Sequence, residues 1–265
     1  MFLDFSNKST WLNQVNPSFK LLLFVFLFVG LLFIDNIHFY LYFTIGLLII
    51  YFLMTGFPIK WLLIFISPFF IIFLSSFISM ALFGEGETLW YRFGMIHITQ
   101  ESFFRGIHLG LRGIIFGFLG LIFALTTKPV MFFYSTMQQY RLKPKLAYSF
   151  MAAIRLLPMV AEEVYVLKQA LKVRGVIFPK GISGFYQRLK YYSVPILAQS
   201  IRRAHRIAIA MEAKQFDGNA KRTYYYQSGY SYHDIWFCLL LLGGIMICFF
   251  LQNNFTFLPV ERVIN

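Results

Sequence analysis

The sequence predicts an all-α membrane protein with about five transmembrane helices and a cytoplasmic helical domain inserted before the last one. Of its 265 residues, 58% are hydrophobic and 13% are charged, whereas a soluble domain carries about a quarter charged residues. Five apolar runs each approach the roughly 20 residues that cross about 30 Å of hydrocarbon. Residues 128–233, between the last two runs, contain 17 of the 24 lysines and arginines. Positive charge clustered beside membrane spans is typical of the cytoplasmic side.

Turn residues such as Asp35 and Pro58 separate the apolar runs. No small-residue cleavage site follows the first run, so we expect it to remain as a membrane helix. Since five is an odd number, the two ends lie on opposite sides of the membrane; with the basic residues 128–233 on the cytoplasmic side, we expect the N-terminus in the cytoplasm and the C-terminal tail outside. The predicted spans are residues 21–34, 38–57, 62–83, 106–125 and 235–251.

These spans divide the chain into three predicted domains. Residues 1–127 form a membrane domain of four spans, residues 128–233 form the cytoplasmic domain, and residues 234–265 form the last span with an outer tail. The segment 84–102 contains Glu85, Glu87 and Glu101 and is predicted to be an outer loop.

The fourth span has a row of small residues and two arginines. Glycines three or four positions apart allow a second helix to approach closely, either from another subunit or from within this chain. Arg105 is expected to reach the headgroups. Arg112 lies deeper, where it either faces protein or a water-filled cavity or extends to the surface. The glycines are Gly106, Gly110, Gly113, Gly117 and Gly120.

The sequence of the inserted domain predicts three helices. A short helix begins at Pro129, and a long one covers about residues 146–173, with apolar residues three and four apart. Residues 179–190 contain glycine and are predicted to be a connector. A third helix, about residues 194–216, becomes strongly basic towards its end. Two similar helix endings follow the pattern Gln169-Ala-Leu-Lys-Val-Arg-Gly175 and Ala210-Met-Glu-Ala-Lys-Gln-Phe-Asp217.

Patterns typical of enzymes are missing from the sequence. It contains no H-E-x-x-H, no G-x-S-x-G and no Gly-x4-Gly-Lys-[Ser/Thr] phosphate loop, so we expect it neither to catalyse a reaction nor to hydrolyse ATP. Cys238 and Cys248 lie in one apolar run without zinc spacing. We therefore expect no cofactor and no metal. The net charge of +13 is explained by membrane topology, so no nucleic-acid partner is expected.

Several motifs together resemble the transmembrane T component of energy-coupling factor (ECF) transporters, the EcfT/CbiQ family. The similarity covers nearly the whole chain, and its specific part lies in residues 125–217. The motifs are Leu12-Asn-Gln-Val-Asn-Pro17 followed by Lys20, Leu125-Thr-Thr-Lys-Pro129, Arg155-Leu-Leu-Pro158 with Glu162 and Glu163, Gln169-Ala170 with Arg174-Gly175, and Arg203-Ala204 with Ala210-Met-Glu-Ala213.

The resemblance implies docking to two ABC ATPase subunits. In that family, two Ala-Arg-Gly type motifs end coupling helices, and their arginines enter grooves on the ATPases. The first motif corresponds to Arg174 and Gly175. The second corresponds to Ala213, Lys214 and Gln215, where lysine lacks the planar, bidentate fork of arginine. The resemblance also implies a coupling-helix and partner interface at Arg155, Pro158, Glu162 and Arg203.

The family's remaining properties complete the expected function. The chain would be a non-catalytic scaffold in a prokaryotic cell membrane that transmits ATP-driven motion to a small membrane subunit, the S component. That subunit holds a vitamin or similar micronutrient. The alternative is the permease subunit of another ABC importer, which would have its own translocation path. Intramembrane polar groups usually line such a path, and here only Arg112 and a few serines and threonines qualify.

Overall fold

The computed structural model describes residues 10–84, 86, 88–93, 96–217 and 223–255, and it confirms an all-α membrane fold. Two compact units are formed by Met1–Lys128 with Ser228–Asn265, and by Pro129–Gln227. We call them the membrane unit and the inserted unit. The elements in chain order are α1 (Pro17–Leu31), α2 (Ile37–Met54), α3 (Ile59–Phe83), β1 (Leu89–Phe93), β2 (Ile96–Thr99), α4 (Gln100–Thr126), α5 (Pro129–Gln139), α6 (Pro144–Val173), α7 (Ile182–Ala213) and α8 (Tyr232–Asn254).

Four described helices, α2, α3, α4 and α8, are long and apolar enough to cross a membrane. The first predicted span, residues 21–34, corresponds to α1, which has 15 residues and is therefore about 22 Å long. It begins at Pro17 because the Asn16 side chain accepts hydrogen bonds from the backbone N–H groups of Ser18 and Phe19. The chain is thus a multi-pass membrane protein, and the count of five spans stays a prediction.

The predicted outer loop at residues 84–102 contains regular structure. β1 and β2 form an antiparallel hairpin, and α4 begins at Gln100, six residues before the predicted start of the fourth span. A capping box explains this early start, since the Thr99 hydroxyl accepts from the Ser102 N–H at 3.2 Å and the Ser102 hydroxyl accepts from the Thr99 N–H at 3.2 Å. Glu85 and Glu87 lie outside the described residues.

The glycine row of α4 packs within the subunit. A Cβ on Gly110 would lie 2.6 Å from the ring of Phe73, and one on Gly117 would lie 2.1 Å from the ring of Phe69. The absence of side chains on this face therefore lets α4 approach the phenylalanines of α3. Gly120 differs, because a Cβ there would meet nothing within 4 Å.

Arg112 faces protein, which decides between the two sequence interpretations. Its guanidinium lies 3.6 Å from the Asp35 carboxylate and donates to the Tyr40 hydroxyl at 3.0 Å and the Ile34 carbonyl at 3.2 Å. These contacts tie α4 to α2 and to the connection between α1 and α2. An arginine in a membrane helix is tolerated when it is paired in this way.

Candidate docking site at two helix ends

The inserted unit has its own small core, in which α5 packs against the start of α6. Met137, Ala147 and Met151 are buried there, and Tyr134 packs against Tyr148 with ring centroids 6.4 Å apart. Burial raises the pKa of Tyr134, and the two neighbouring tyrosines, Tyr148 and Tyr226, add to the effect. The phenol therefore stays neutral, and the core is uncharged at this point.

The end of α6 is a Schellman motif. The Gly175 N–H donates to the Lys172 carbonyl at 3.1 Å, and the Val176 N–H donates to the Leu171 carbonyl at 3.1 Å. Gly175 has a φ of +70°, which glycine adopts without penalty. Arg174 is the C-cap residue and is exposed. Its positive charge is therefore held at the negative end of the helix dipole.

The end of α7 has the same backbone arrangement, although its sequence matches poorly. The Gln215 N–H donates to the Glu212 carbonyl at 2.8 Å, and the Phe216 N–H donates to the Met211 carbonyl at 2.9 Å. Gln215 has a φ of +53° and so occupies the position that Gly175 occupies on α6. A side chain in this conformation costs roughly 1–2 kcal/mol. Lys214 is the C-cap residue, in the place of Arg174.

Arg174 and Lys214 are alike in exposure as well as in position. Both are exposed, and neither forms a side-chain hydrogen bond or ion pair with any described residue. Their surroundings differ. The end of α6 exposes Val173 at 88% and Ile177 at 91% of their surfaces, whereas Lys214 borders a cavity of about 480 Å³ with Met211 and Phe216. Each helix end thus presents one exposed cation. Beside the first cation the neighbouring apolar side chains are almost fully exposed, and beside the second they line a cavity.

A single ion pair joins α6 and α7 within the described part of the chain. It connects the Glu163 carboxylate to the Arg203 guanidinium, and both side chains are partly exposed. Glu163 precedes Arg174 by eleven residues, and Arg203 precedes Lys214 by the same number. At 1.5 Å per residue, each cation lies about 16 Å along its helix from the ion pair.

Open clefts flank this ion pair. One, between α5, α6 and α7, has a volume of about 1110 Å³, and another, between α6 and α7, has about 540 Å³. Apolar side chains such as Met159 and Ile207 dominate the larger cleft, and Arg155 and Arg203 also line it. The ion pair thus lies between two clefts, and the two helices also meet where α7 ends, since the rings of Tyr148 and Phe216 have centroids 5.6 Å apart.

The sequence-predicted interface residues are only partly brought together. Arg203 pairs with Glu163, not with Glu162, which is exposed. Arg155 and Pro158 are also exposed, and α6 continues through Pro158. The motif contains both glutamates, and only Glu163 reaches Arg203, since adjacent residues differ by about 100° around a helix. The role of Arg155, Pro158, Glu162 and Arg203 at a partner interface stays a prediction.

The predicted connector at residues 179–190 is wrong, because α7 begins at Ile182 and continues through Pro195. Gly181 has a φ of +95° and serves as the N-cap. A Cβ on Gly184 would lie 1.6 Å from the Pro179 carbonyl oxygen, so only glycine fits this first turn. The glycines that suggested a connector instead start the helix.

An exposed apolar seam runs along α6. Its members alternate spacings of four and three residues, the pattern of a helix that packs against another helix. Leu157 is 68% exposed, and on α7 Leu197 and Ile201 are 60% and 69% exposed. The apolar residues whose spacing predicted this helix from the sequence are Ile154, Leu157, Val160, Val164 and Leu167. That prediction did not include the N-terminal members of the seam. The seam residues are Leu146, Phe150, Ala153, Leu157, Val160 and Val164.

The described residues contain no group of three or more His, Cys, Asp or Glu side chains that could hold a metal ion. The candidate site consists of two exposed cations, Arg174 and Lys214, and the apolar seam.

Comparison with known proteins gives one matching family and several relatives that share one name. Residues 8–225 match the family described as cobalt transport protein, CbiQ. The chain is 25% identical over 254 residues to the "energy-coupling factor transporter transmembrane protein EcfT" of Lacticaseibacillus paracasei, covering 90% of this chain and 94% of the relative. Proteins of the same name from Macrococcus caseolyticus and Thermotoga maritima are 24% and 26% identical, covering 92% and 90% of this chain and 95% and 89% of the relatives.

Proposed function

Because the chain belongs to the CbiQ cobalt transport protein family, we propose that it is the transmembrane energy-coupling subunit of an ECF-type ABC importer. In this proposal it performs no catalysis itself. It passes the motion of two partner ATPases to a membrane subunit that binds the transported vitamin or other micronutrient. The family membership supports transport, and the geometry of the inserted unit supports the coupling role.

The observation that carries the proposal is the equivalence of the two helix ends. A single helix that ends in a cation is common, because cations stabilise helix C-termini. Here two helices share one capping geometry, one cation position and one distance from their common ion pair. Gln215 keeps this arrangement in spite of an unfavourable φ. Two similar presented ends suit a pair of similar receptor grooves.

The coupling step follows from this geometry. ATP binding draws the two ATPases together, and the docked ends at Arg174 and Lys214 move with them. Since α6 and α7 are joined at Glu163 and Arg203, the displacement becomes a change in their crossing angle. The flanking clefts leave space for that change. The ion pair then acts as a pivot with two arms of about 16 Å.

The apolar seam of α6, with Leu197 and Ile201 of α7, is the proposed contact for the membrane subunit. Its heptad-like spacing suits packing against one hydrophobic helix. Reorientation of that subunit would release its cargo on the inner side. The inserted unit is then cytoplasmic, as is the N-terminus, and the cell membrane of a prokaryote is the location. The cargo is set by the partner and not by this chain.

Co-purification tests the proposal. The tagged chain is extracted from native membranes in mild detergent, and its partners are identified by mass spectrometry. We expect two ABC ATPases and a small, very hydrophobic membrane protein. Recovery of ATPases together with a soluble binding protein would favour the permease alternative, and recovery of the chain alone would contradict both.

A further inference from the structure

A fully buried lysine lies in the membrane unit at the first residues of α1. Lys20 has no exposed surface, and its ammonium group donates to the Leu12 carbonyl at 2.6 Å and to the Thr126 hydroxyl at 3.1 Å. The Thr126 carbonyl lies 3.5 Å away. Removing an ammonium group from water is costly unless it is paired and hydrogen-bonded. Packing alone therefore does not explain why a lysine occupies this buried position.

A second buried charge lies in the same unit. Asp234, near the start of α8, is 2% exposed. Its carboxylate accepts from the Asn16 N–H at 2.7 Å and from the Ser231 N–H at 2.8 Å. The Asn16 carbonyl in turn accepts from the Lys20 backbone N–H at 2.9 Å, which links the two charged residues. The Asn16 side-chain amide donates to the Gly229 carbonyl at 3.2 Å. We call Asn16, Lys20 and Asp234 the junction cluster.

The junction cluster binds groups of Thr126, Gly229 and Ser231, which lie close to the points where the chain leaves and re-enters the membrane unit. The chain passes into the inserted unit two residues after Thr126, and it returns at Ser228. Lys20 therefore holds the outgoing connection, while Asn16 and Asp234 hold the returning one through Gly229 and Ser231. Nearly all of these bonds go to backbone atoms, so they fix the path of the chain.

We propose that the junction cluster positions both connections between the two units, so that motion of the inserted helices is passed to the membrane helices. A loose connection would absorb the displacement that the ATPases produce. This proposal rests on the proposed function, since it concerns how the motion travels. Asn16, Lys20 and Asp234 are positioning residues, because they act through the backbone that they hold.

A matched pair of substitutions isolates the contact. Thr126→Val keeps the side-chain volume and removes the hydroxyl that accepts from Lys20. Thr55→Val is the control, because Thr55 is also buried in the membrane unit and its hydroxyl donates to a carbonyl four residues earlier, as does that of Thr126. The difference in effect between the two variants measures the contribution of the hydrogen bond from Lys20 to the Thr126 hydroxyl. Lys20→Met and Asp234→Asn test the charges directly.

The first readout does not depend on transport. Hydrogen exchange is measured by mass spectrometry on the full-length purified chain. We expect faster exchange at residues 126–129 and 228–234 in Lys20→Met and Asp234→Asn. Loss of a hydrogen bond to a charged group is worth a factor of about ten or more in local opening. Unchanged exchange in both connections would overturn the proposal.

The second readout is coupling in the reconstituted complex, measured as uptake per ATP hydrolysed in proteoliposomes. We expect Thr126→Val to assemble and to hydrolyse ATP like Thr55→Val, but to lose several-fold in uptake per ATP. Equal uptake per ATP in the two variants would overturn the junction role. Absence of ATP-driven uptake in the unsubstituted complex would instead contradict the proposed function, so the two failures are distinguishable.

Discussion

Gln215→Gly should stabilise the end of α7. Gln215 has a φ of +53°, a conformation that costs a residue with a side chain roughly 1–2 kcal/mol. Glycine removes that cost but adds roughly 0.5–1 kcal/mol of backbone entropy to the unfolded chain. The net stabilisation is then about 0.5–1 kcal/mol, which corresponds to about a threefold smaller local opening constant.

Hydrogen exchange at the last turn of α7 measures this effect. The Gln215 and Phe216 amides are the donors that close the turn, and their exchange should slow by about threefold in Gln215→Gly. Gly175→Gln on α6 is the matched reverse change, because a Cβ there meets nothing within 4 Å and only the φ of +70° opposes it. It should speed exchange by a similar factor.

Gln215→Ala separates backbone strain from side-chain contacts. Alanine keeps the unfavourable φ and removes the amide group, so we expect little change in exchange. If Gln215→Ala slowed exchange as much as Gln215→Gly, strain would not be the cause. If Gly175→Gln had no effect, the two helix ends would not be equivalent, and the reasoning would be refuted.

Two further predictions concern the packing of α3 on α4 and the ion pair between Glu163 and Arg203. Gly117→Ala should lower the thermal stability of the detergent-purified chain by about 1–3 kcal/mol through overpacking, because its Cβ would lie 2.1 Å from the Phe69 ring. Gly120→Ala should instead raise it by about 0.5–1 kcal/mol, because a Cβ there meets nothing within 4 Å and alanine loses less backbone entropy on folding; equal shifts in the two variants would contradict the close approach of α3 to Gly117. Glu163→Gln should lower uptake per ATP in proteoliposomes by about two- to fivefold, as expected for a partly exposed ion pair; unchanged uptake per ATP would contradict the pivot role.

The sequence predicted the parts of the fold that depend on local patterns. Apolar runs gave the membrane class, and spacings of three and four gave the long helix that ends at Arg174. Gly175 follows because a glycine after the last helical turn satisfies the Schellman geometry at low cost. The end of α7 was harder to predict, since glutamine does not favour the positive φ that this position requires. The second motif was therefore matched through the neighbouring Ala213 and Lys214.

Contacts between distant segments account for the errors and omissions. Gly184 contributed to the wrong prediction of a connector at residues 179–190. The Pro179 carbonyl that excludes a Cβ at this position approaches it only in the folded chain. Lys20 meets Thr126 across 106 residues of sequence, so the two motifs could not be joined by their spacing. The choice of Glu163 over Glu162 depends on the rotation of α6 relative to α7.

The most direct test of the coupling proposal is Arg174→Glu in the reconstituted complex. Lys168→Glu, an exposed site one and a half turns earlier on α6, is the control for the change in charge. Truncating a central interface arginine typically costs about 2 kcal/mol or more, and reversing its charge should cost more. We expect Arg174→Glu to release an ATPase and abolish ATP-driven uptake while Lys168→Glu retains both. Intact assembly and uptake in Arg174→Glu would contradict the role of the helix ends.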